Sequence, residues 1–293
     1  MRFAWIGKNR GKYSLSEMCR VLEVTAQGYR KWKRPKPYKH ALLLARIKEM
    51  QEEHPLNKNY GVMRVFEWLK YKYSDIPSLS TVRRVMRENG IKRPKNNPKG
   101  LTKADKLAQK SDNLINRNFT AEKPNEKWVS DITEVATADG KLYISGILDC
   151  FDNHITGLSM DDNMKAPLVI RSLEQAHKRF GAQGVVFHTD RGSQYTSESF
   201  RAKLAEFGVF QSMNGAAGLC HDNAKMESVW GRFKEELIYQ LPTKETSMII
   251  VKQWIFRYFM GYWNNTRICS AIGGLPPAAK REQYYNKSMS YAA

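Results

Sequence analysis

Two acidic residues stand at positions where a carboxylate needs an explanation. Asp131 lies in the middle of Lys127 to Val135, an alternating segment that predicts a β-strand. A carboxylate in mid-strand must be paired, hydrated or bound to a cation, because burying it alone costs several kcal/mol. Asp190 follows Val185 to Phe187, an apolar run typical of an interior parallel strand, and ligands of open α/β sheets collect at the carboxyl ends of such strands. These positions predict a polar site at one end of a sheet.

A third acid, Glu227, falls in a predicted helix from Asp222 to Leu237, with Asp222 or Asn223 as its N-cap. Glu227 and Lys234 share a helix face with Asn223. Each acid also has a plainer interpretation. Asp190 has the position of a helix cap or turn former, and Glu227 lies at the edge of an amphipathic helix's apolar stripe. The three acids taken together point to chemistry more strongly than any one of them.

Four short motifs follow one another along the chain. They are WVSDIT at 128–133, HTDRGSQYTS at 188–197, DNAKMES at 222–228 and NNTRICSAIGGLPP at 264–277. Together they resemble the DDE integrase core of bacterial insertion-sequence transposases, which are related to retroviral integrases, and the resemblance extends over nearly the whole chain.

The chain departs from the family pattern in three places. Asp190 and Glu227 enclose thirty-six residues, one more than is usual, and we place the extra residue in the glycine-rich loop Asn214 to Leu219. Cys269 stands where the family usually has His, and Trp263 where it usually has Tyr. These last two changes do not involve the acids and concern the C-terminal contacts rather than the chemistry.

The resemblance implies an α/β fold: a ribonuclease-H-like mixed five-stranded sheet with helices on both faces, preceded by all-α helix-turn-helix modules. It also implies a transposase that binds the ends of an insertion sequence and catalyses metal-dependent strand cleavage and strand transfer. The catalytic residues and metal ligands would be Asp131, Asp190 and Glu227, with Asp131 bridging two ions. Carboxylates without His or Cys partners suit Mg²⁺ or Mn²⁺ rather than zinc.

Charge points to DNA as the partner. Residues 1 to 125 contain 29 Lys and Arg against 11 Asp and Glu, a net charge of +18, whereas residues 126 to 293 have a net charge of +1. A field of that size attracts polyanions, most simply DNA phosphates. Near the three acids we assign DNA contacts to Lys234, Asn223 and His188, and Lys234 would hold a phosphate.

Two helix-turn-helix patterns lie in the basic part of the chain. Residues 1–38 contain the first, with its turn at Glu23 and Val24, and residues 39–95 contain the second, which includes a helix from Ser78 to Asn89. The side chains assigned to DNA contact in these modules are Arg30, Lys31, Arg83, Arg84 and Arg87. Ordinary helical packing with solvated basic side chains is the alternative interpretation.

The rest of the chain is predicted as a basic linker and a catalytic core. The linker covers residues 96–124, with a helix from Thr102 to Asn116, and the core covers residues 125–293, including a C-terminal helical extension. Three consecutive strands followed by alternating helices and strands are predicted for the core, and one long helix from Thr243 to Asn264 for the extension. Asp149 and Asp152 are interpreted as structural, because neither occupies a motif position.

Other classes of protein fit the sequence less well. Its four cysteines have no C-x-x-C spacing, which argues against a zinc site and for a reducing cytoplasm. No apolar run approaches the length of a membrane span and no export signal is evident, so we expect a cytoplasmic, nucleoid-associated bacterial protein. The expected partners are double-stranded DNA, further copies of the chain and a protein or fusion from an upstream reading frame. A catalytically inactive DNA-binding regulator and a nuclease without strand transfer remain alternatives.

Overall fold

The computed structural model describes residues 1–34, 38–93, 112–116, 118–213 and 223–290. The chain divides into two compact units, residues 1–45 and 46–293. The division lies within α4 (Ala41–Glu53), a few residues after the boundary expected between the two helical modules. The second predicted module shares a unit with the predicted core. Most of the predicted linker and its helix lies outside the described residues, as does the loop Asn214 to Leu219.

The first unit contains the two helices and the turn predicted for its helix-turn-helix pattern. Ser14 and Glu17 form a capping box at one helix, and Thr25 caps the next by accepting a hydrogen bond from the Gly28 N–H at 2.9 Å. Glu23 takes the left-handed conformation that the turn requires, with φ of 49°, although no glycine is present. The helices are α1 (Arg2–Asn9), α2 (Leu15–Val21) and α3 (Ala26–Lys33), and their core consists of Ile6, Met18, Cys19 and Tyr29.

The second unit begins with helices and continues into the sheet. After α5 (Val62–Lys72), α6 (Leu79–Glu88) buries an apolar stripe. Its cap residue Asn89 is followed by Gly90, which has the positive φ typical of the residue after a helix C-terminus. The strands are β1 (Lys127–Thr137), β2 (Gly140–Asp149), β3 (Ile155–Asp161), β4 (Val186–Thr189) and β5 (Phe210–Met213). The later helices are α7 (Ala166–Phe180), α8 (Ser193–Thr196), α9 (Glu198–Glu206), α10 (Ala224–Glu236), α11 (Met248–Phe256) and α12 (Pro277–Ser290).

The five strands form one mixed sheet in the order β3-β2-β1-β4-β5. The pairs β1–β2 and β2–β3 are antiparallel, whereas β1–β4 and β4–β5 are parallel. Trp128, Ile147 and Phe187 pack on one face with residues of α7 and α9, and α10 packs on the other face against Gly146. The predicted mixed five-stranded sheet with helices on both faces is therefore confirmed.

The C-terminal extension is not the single long helix that was predicted. Met248 to Phe256 is α-helical, and Arg257 to Trp263 then continues as a π-helix. The four aromatic residues of the π-helical segment are buried, whereas Ile249 and Phe256 of the preceding α-helix are exposed. The buried aromatic residues are Tyr258, Phe259, Tyr262 and Trp263.

A buried carboxylate, Glu236 at the end of α10, connects three parts of the second unit. Its side chain accepts two hydrogen bonds from Arg267 and one from Arg64 of α5, each 2.9 Å long. The Asn59 amide donates to the Glu236 backbone carbonyl. Burial alone would raise the pKa of Glu236, but the charge and hydrogen bonds of Arg267, with the charge of Arg64, lower it to about 2. The helices before the sheet are thus anchored to the core by an ion cluster.

A second buried ion cluster fixes α12 to the β2–β3 connection. Arg281 donates to both Asp149 and Asp152 at 2.6 Å, and Asp149 also accepts the backbone N–H of Asn125. Both carboxylates are fully buried. Their interpretation as structural acids agrees with these contacts.

Replacing Glu236 with Gln should lower the free energy of unfolding by about 3 to 5 kcal/mol, because Arg267 would remain buried without its counter-charge. Urea denaturation at pH 7 measures this loss. The contribution of Glu236 should be full above its ordinary pKa of 4.5 and should disappear as the pH falls towards 2.

The matched control is Glu88→Gln, which removes an exposed ion pair with Arg84 on α6. That change should cost less than about 1 kcal/mol. Equal losses in the two variants would contradict the role assigned to Glu236.

Candidate active site

The pairing of β1 with β4 brings Asp131 and Asp190 to the same level of the sheet. Val129 pairs with His188 in this parallel ladder, so residues two positions further along the two strands are neighbours. Asp131 is in the middle of its strand, and Asp190 is the first residue after β4. Both side chains are partly buried. The two acids that sequence placed in separate strands therefore share one site.

The residues that follow Asp190 hold its loop in place. The Gly192 N–H donates to the Asp190 carboxylate at 3.0 Å, and a Cβ at Gly192 would lie 3.1 Å from that carboxylate. Tyr195 is fully buried in α8, and its hydroxyl is hydrogen bonded to the Ser130 hydroxyl at 2.9 Å. The motif after Asp190 thus acts as a scaffold that ties the acid to β1.

Two contacts place α10 beside Asp131. The Asn223 amide donates to the Ser130 backbone carbonyl at 3.0 Å, which fixes the N-terminus of the helix one turn before Glu227. Gly146 pairs with Asp131 across β1 and β2, and a Cβ at Gly146 would lie only 2.8 Å from Met226 and 2.8 Å from Trp230. The absent side chain allows α10 to pack directly on the sheet.

The carboxylates repel one another. Burial, and then the charge of Asp190, raises the pKa of Asp131 to about 8, with Glu227 adding a smaller contribution. The Ile132 N–H opposes this rise by donating to the Asp131 carboxylate at 2.8 Å. Burial also raises the pKa of Asp190, against the Gly192 hydrogen bond and the charge of His188. A proton or a cation held between the two acids would relieve this repulsion.

The three acids do not form a complete set of metal ligands in this structure. Glu227 is exposed in the first turn of α10, immediately after residues that are not described. In the described part of the chain, no group of three or more His, Cys, Asp and Glu side chains is spaced to hold an ion. The donor chemistry nevertheless fits a hard divalent cation, because two carboxylates share the site and a third affects its electrostatics.

Three side chains assigned to DNA near the acids lie in different environments. His188 is fully buried, and its Nδ1 is hydrogen bonded to the Ser212 hydroxyl at 2.8 Å. Asn223 is also buried by its contact with Ser130. Direct DNA contact does not agree with the burial of these two residues, which instead position the site. Lys234 is half-buried, and burial lowers its pKa while the charges of Glu134 and Asp131 oppose that effect.

The basic residues of the helical modules are exposed. They are Arg30 and Lys31 on α3, and Arg83, Arg84 and Arg87 on α6. Arg84 lies 4.0 Å from Glu88, so part of this basic face is engaged in an ion pair.

Sequence reasoning missed Gly146 and the positioning function of Asn223. A glycine inside a strand often marks a close approach of another element. The position of Gly146 in a predicted strand could therefore have indicated this packing. The contact between Asn223 and Ser130 joins residues 93 positions apart, and no local pattern predicts it.

Comparison with known proteins identifies the family of the chain. Residues 121–217 match the integrase core domain family. The chain is 30% identical over 289 residues to the transposase for insertion sequence element IS629 of Shigella sonnei, covering 96% of this chain and 95% of that protein. It is 29% identical over 307 residues to the transposase InsF for insertion sequence IS3A of Escherichia coli, covering 99% of this chain and 100% of that protein. The chain belongs to the family of insertion-sequence transposases.

Membership of this family makes the chain a DNA transposase and a polynucleotidyl transferase with an integrase core. Among solved structures, the chain is similar to the integrase catalytic core domain of HTLV-2 in complex with magnesium, with a TM-score of 0.42 and 14% identity over 55% of this chain and 98% of that one. None of the helices in the described ranges is long and apolar enough to cross a membrane.

Asp131→Asn should stabilise the transposase in a chelator, and more at pH 8.5 than at pH 5. The folded-state pKa of about 8 lies above the ordinary value of 3.8, so the native state loses stability as the pH rises through this window. Asn resembles the protonated acid and escapes that loss. Thermal unfolding at both pH values measures the difference, and the exposed Asp162→Asn serves as a control. If the shift in melting temperature were the same at both pH values, Asp131 would not have a raised pKa in the folded protein.

Gly146→Ala should impair strand cleavage by displacing α10 from Asp131. The new methyl group would overlap the Trp230 ring, and overpacking of this kind typically costs about 1 to 3 kcal/mol. A displacement of about 1 Å at a reacting group can lower the rate by about 100-fold. Cleavage of a labelled element end measures the effect. Gly261→Ala has open space around its Cβ and should remain active; a fully active Gly146→Ala enzyme would rule out this role.

Proposed function

We propose that Asp131, Asp190 and Glu227 are the catalytic carboxylates of this transposase and hold Mg²⁺ or Mn²⁺, with two ions in the active complex. The observation that carries the proposal is the shared electrostatics of the three acids. Asp190 and Glu227 both raise the pKa of Asp131, and divalent cations relieve repulsion of this kind. Asp131 would hold a cation together with Asp190, its neighbour across the sheet, and α10, which carries Glu227, packs on the same face.

The reaction that we propose is hydrolytic nicking at the element ends, followed by attack of the freed 3′ hydroxyl on a target strand. When bound, the ions would activate the attacking oxygen and stabilise the leaving one. The chain's own residues orient these groups: Asn223 and Gly146 set the position of α10, and the Gly192 N–H holds Asp190. No covalent intermediate with the protein is required.

Double-stranded DNA, both element end and target, is the proposed substrate. Lys234 is half-buried, and its charge interacts with that of Asp131, which suits a contact with a phosphate close to the reacting one. The exposed Arg30 and Lys31, and the exposed arginines of α6, are proposed to hold the DNA further away. Residues 1–38 and 39–95 would thus act as DNA-binding modules, although the second is anchored to the core through Glu236.

Two element ends must be handled together, so we propose that the active form is a homo-oligomer. A protein or fusion from an upstream reading frame would supply further DNA binding. The site of action would be the nucleoid in the bacterial cytoplasm.

Asp131→Asn, Asp190→Asn and Glu227→Gln should each abolish nicking and joining in Mg²⁺, and each should leave binding to the element end nearly intact. The physical reason is that each change removes a charged ligand without removing a packing group. Gel analysis of labelled ends separates three outcomes: binding only, cleavage only, and joining.

The exposed acid Asp162 provides the control, because Asp162→Asn should preserve all three steps. Substantial cleavage by any of the three carboxylate variants would exclude that residue from the catalytic set.

A further inference from the structure

A separate cavity of about 360 Å³ lies on another side of α10. Its walls come mainly from α10 and from the end of the π-helix and the segment after it, with single residues from α5, β2, the β2–β3 turn and the segment before β1. Ser228 and Arg232 line it from α10, whereas Glu227 and Lys234 on the same helix do not. The cavity is therefore distinct from the carboxylate site, although both use one helix.

The cavity has a surplus of positive charge. Arg64, Lys225, Arg232 and Arg267 all line it. Glu236 is ion paired with Arg64 and Arg267, which leaves the other two cations without a carboxylate partner in the described part of the chain. Lys225 donates to the backbone carbonyl of Cys150 at 2.6 Å.

Of these four cations, Arg232 makes the weakest hydrogen bond to the rest of the described protein. Its described hydrogen bond is a long one, 3.4 Å from Nε to the Ser228 hydroxyl. Arg232 is exposed to solvent. Desolvation of its guanidinium by the surrounding walls, together with the charges of Arg267 and Arg64, lowers its pKa, and the charge of Glu236 opposes this change. Arg64 and Arg267 line the same cavity and repel the Arg232 guanidinium, and an anion beside Arg232 would offset that repulsion.

The remaining walls are largely apolar, including Phe119, Leu148, Val229 and Ile268. Apolar walls strengthen the attraction between a guanidinium and an anion by excluding water. A guanidinium also matches the geometry of a phosphate group better than an ammonium does. The ligand that fits best carries a phosphate on a partly apolar body, as a sugar-phosphate unit does.

We propose that this cavity binds a backbone phosphate of the DNA strand, held by Arg232. The inference rests on the proposed function, because it needs a strand at the carboxylates. Arg232 is the fifth residue after Glu227 on α10, which places it about 7.5 Å further along the helix axis, so one strand is long enough to reach both sites. Arg232 would fix the position of the strand without contacting the reacting phosphate.

The test uses the full chain and a duplex that carries an element end. Arg232→Gln should weaken binding about tenfold at low salt, because a charge-assisted hydrogen bond to phosphate is lost. The slope of log K against log salt should become less steep by about 0.9, as expected for one phosphate contact. Arg232→Lys should retain the slope, and the exposed Arg257→Gln should match the wild type.

Replacing single DNA phosphates with neutral methylphosphonates identifies the contact. One substitution should weaken the wild type and have no further effect on Arg232→Gln, since both changes remove the same interaction. Strict additivity at every phosphate, or an unchanged salt slope in Arg232→Gln, would overturn the proposal. If Arg257→Gln weakened DNA binding as much as Arg232→Gln does, the proposal would also be overturned, because the loss would then reflect the net charge of the protein rather than a contact in the cavity.

Inorganic phosphate distinguishes a free anion from a DNA phosphate. One outcome is that phosphate raises the melting temperature of the wild type but not of Arg232→Gln, while the two proteins bind DNA equally. In that case the cavity is a site for free anions and the proposal fails. Cleavage by Asp131→Asn is measured in parallel: activity in that variant would sink the catalytic assignment, whereas the Arg232 results report on the cavity alone.

Discussion

Mutual repulsion among carboxylates is the constraint on which the rest of the core depends. Asp131 and Asp190 cannot be neighbours unless other contacts hold their strands and loops together. The buried Tyr195 does this for the loop after β4, and Asn223 does it for the start of α10. Gly146 contributes by having no side chain, which lets α10 lie against the strand that pairs with β1. The motif residues around the acids therefore serve mainly to hold an electrostatically unfavourable arrangement.

The ion cluster around Glu236 connects helices rather than positioning the acids. Glu236 stands at the end of the helix that carries Glu227, and it connects that helix to α5 and to the segment containing Arg267. A shift in α5 is therefore coupled mechanically to α10. A pair of hydrophobic residues would give comparable stability with less directional preference. The ionic arrangement fixes one orientation of the helical module relative to the core.

Much of this architecture was predictable from sequence because it depends on local patterns. The alternating residues around Asp131, the apolar run before Asp190 and the motifs around Glu227 gave the strands, the helix and the acids in the right order. The π-helix at Arg257 was not predictable, since its aromatic stripe fits an α-helix about as well. The burial of His188 and the docking of α5 on Glu236 depend on contacts between distant residues, which periodicity does not encode.

The salt bridge from Arg281 to Asp149 and Asp152 bears on how the protein is made. Both carboxylates are fully buried, and they belong to the sheet that is synthesised well before α12. A nascent chain that has not yet released α12 from the ribosome lacks the guanidinium that pairs with both carboxylates, so we expect its sheet to be less stable than in the finished protein. Release of α12 would then be the step that completes the packing around Asp149 and Asp152.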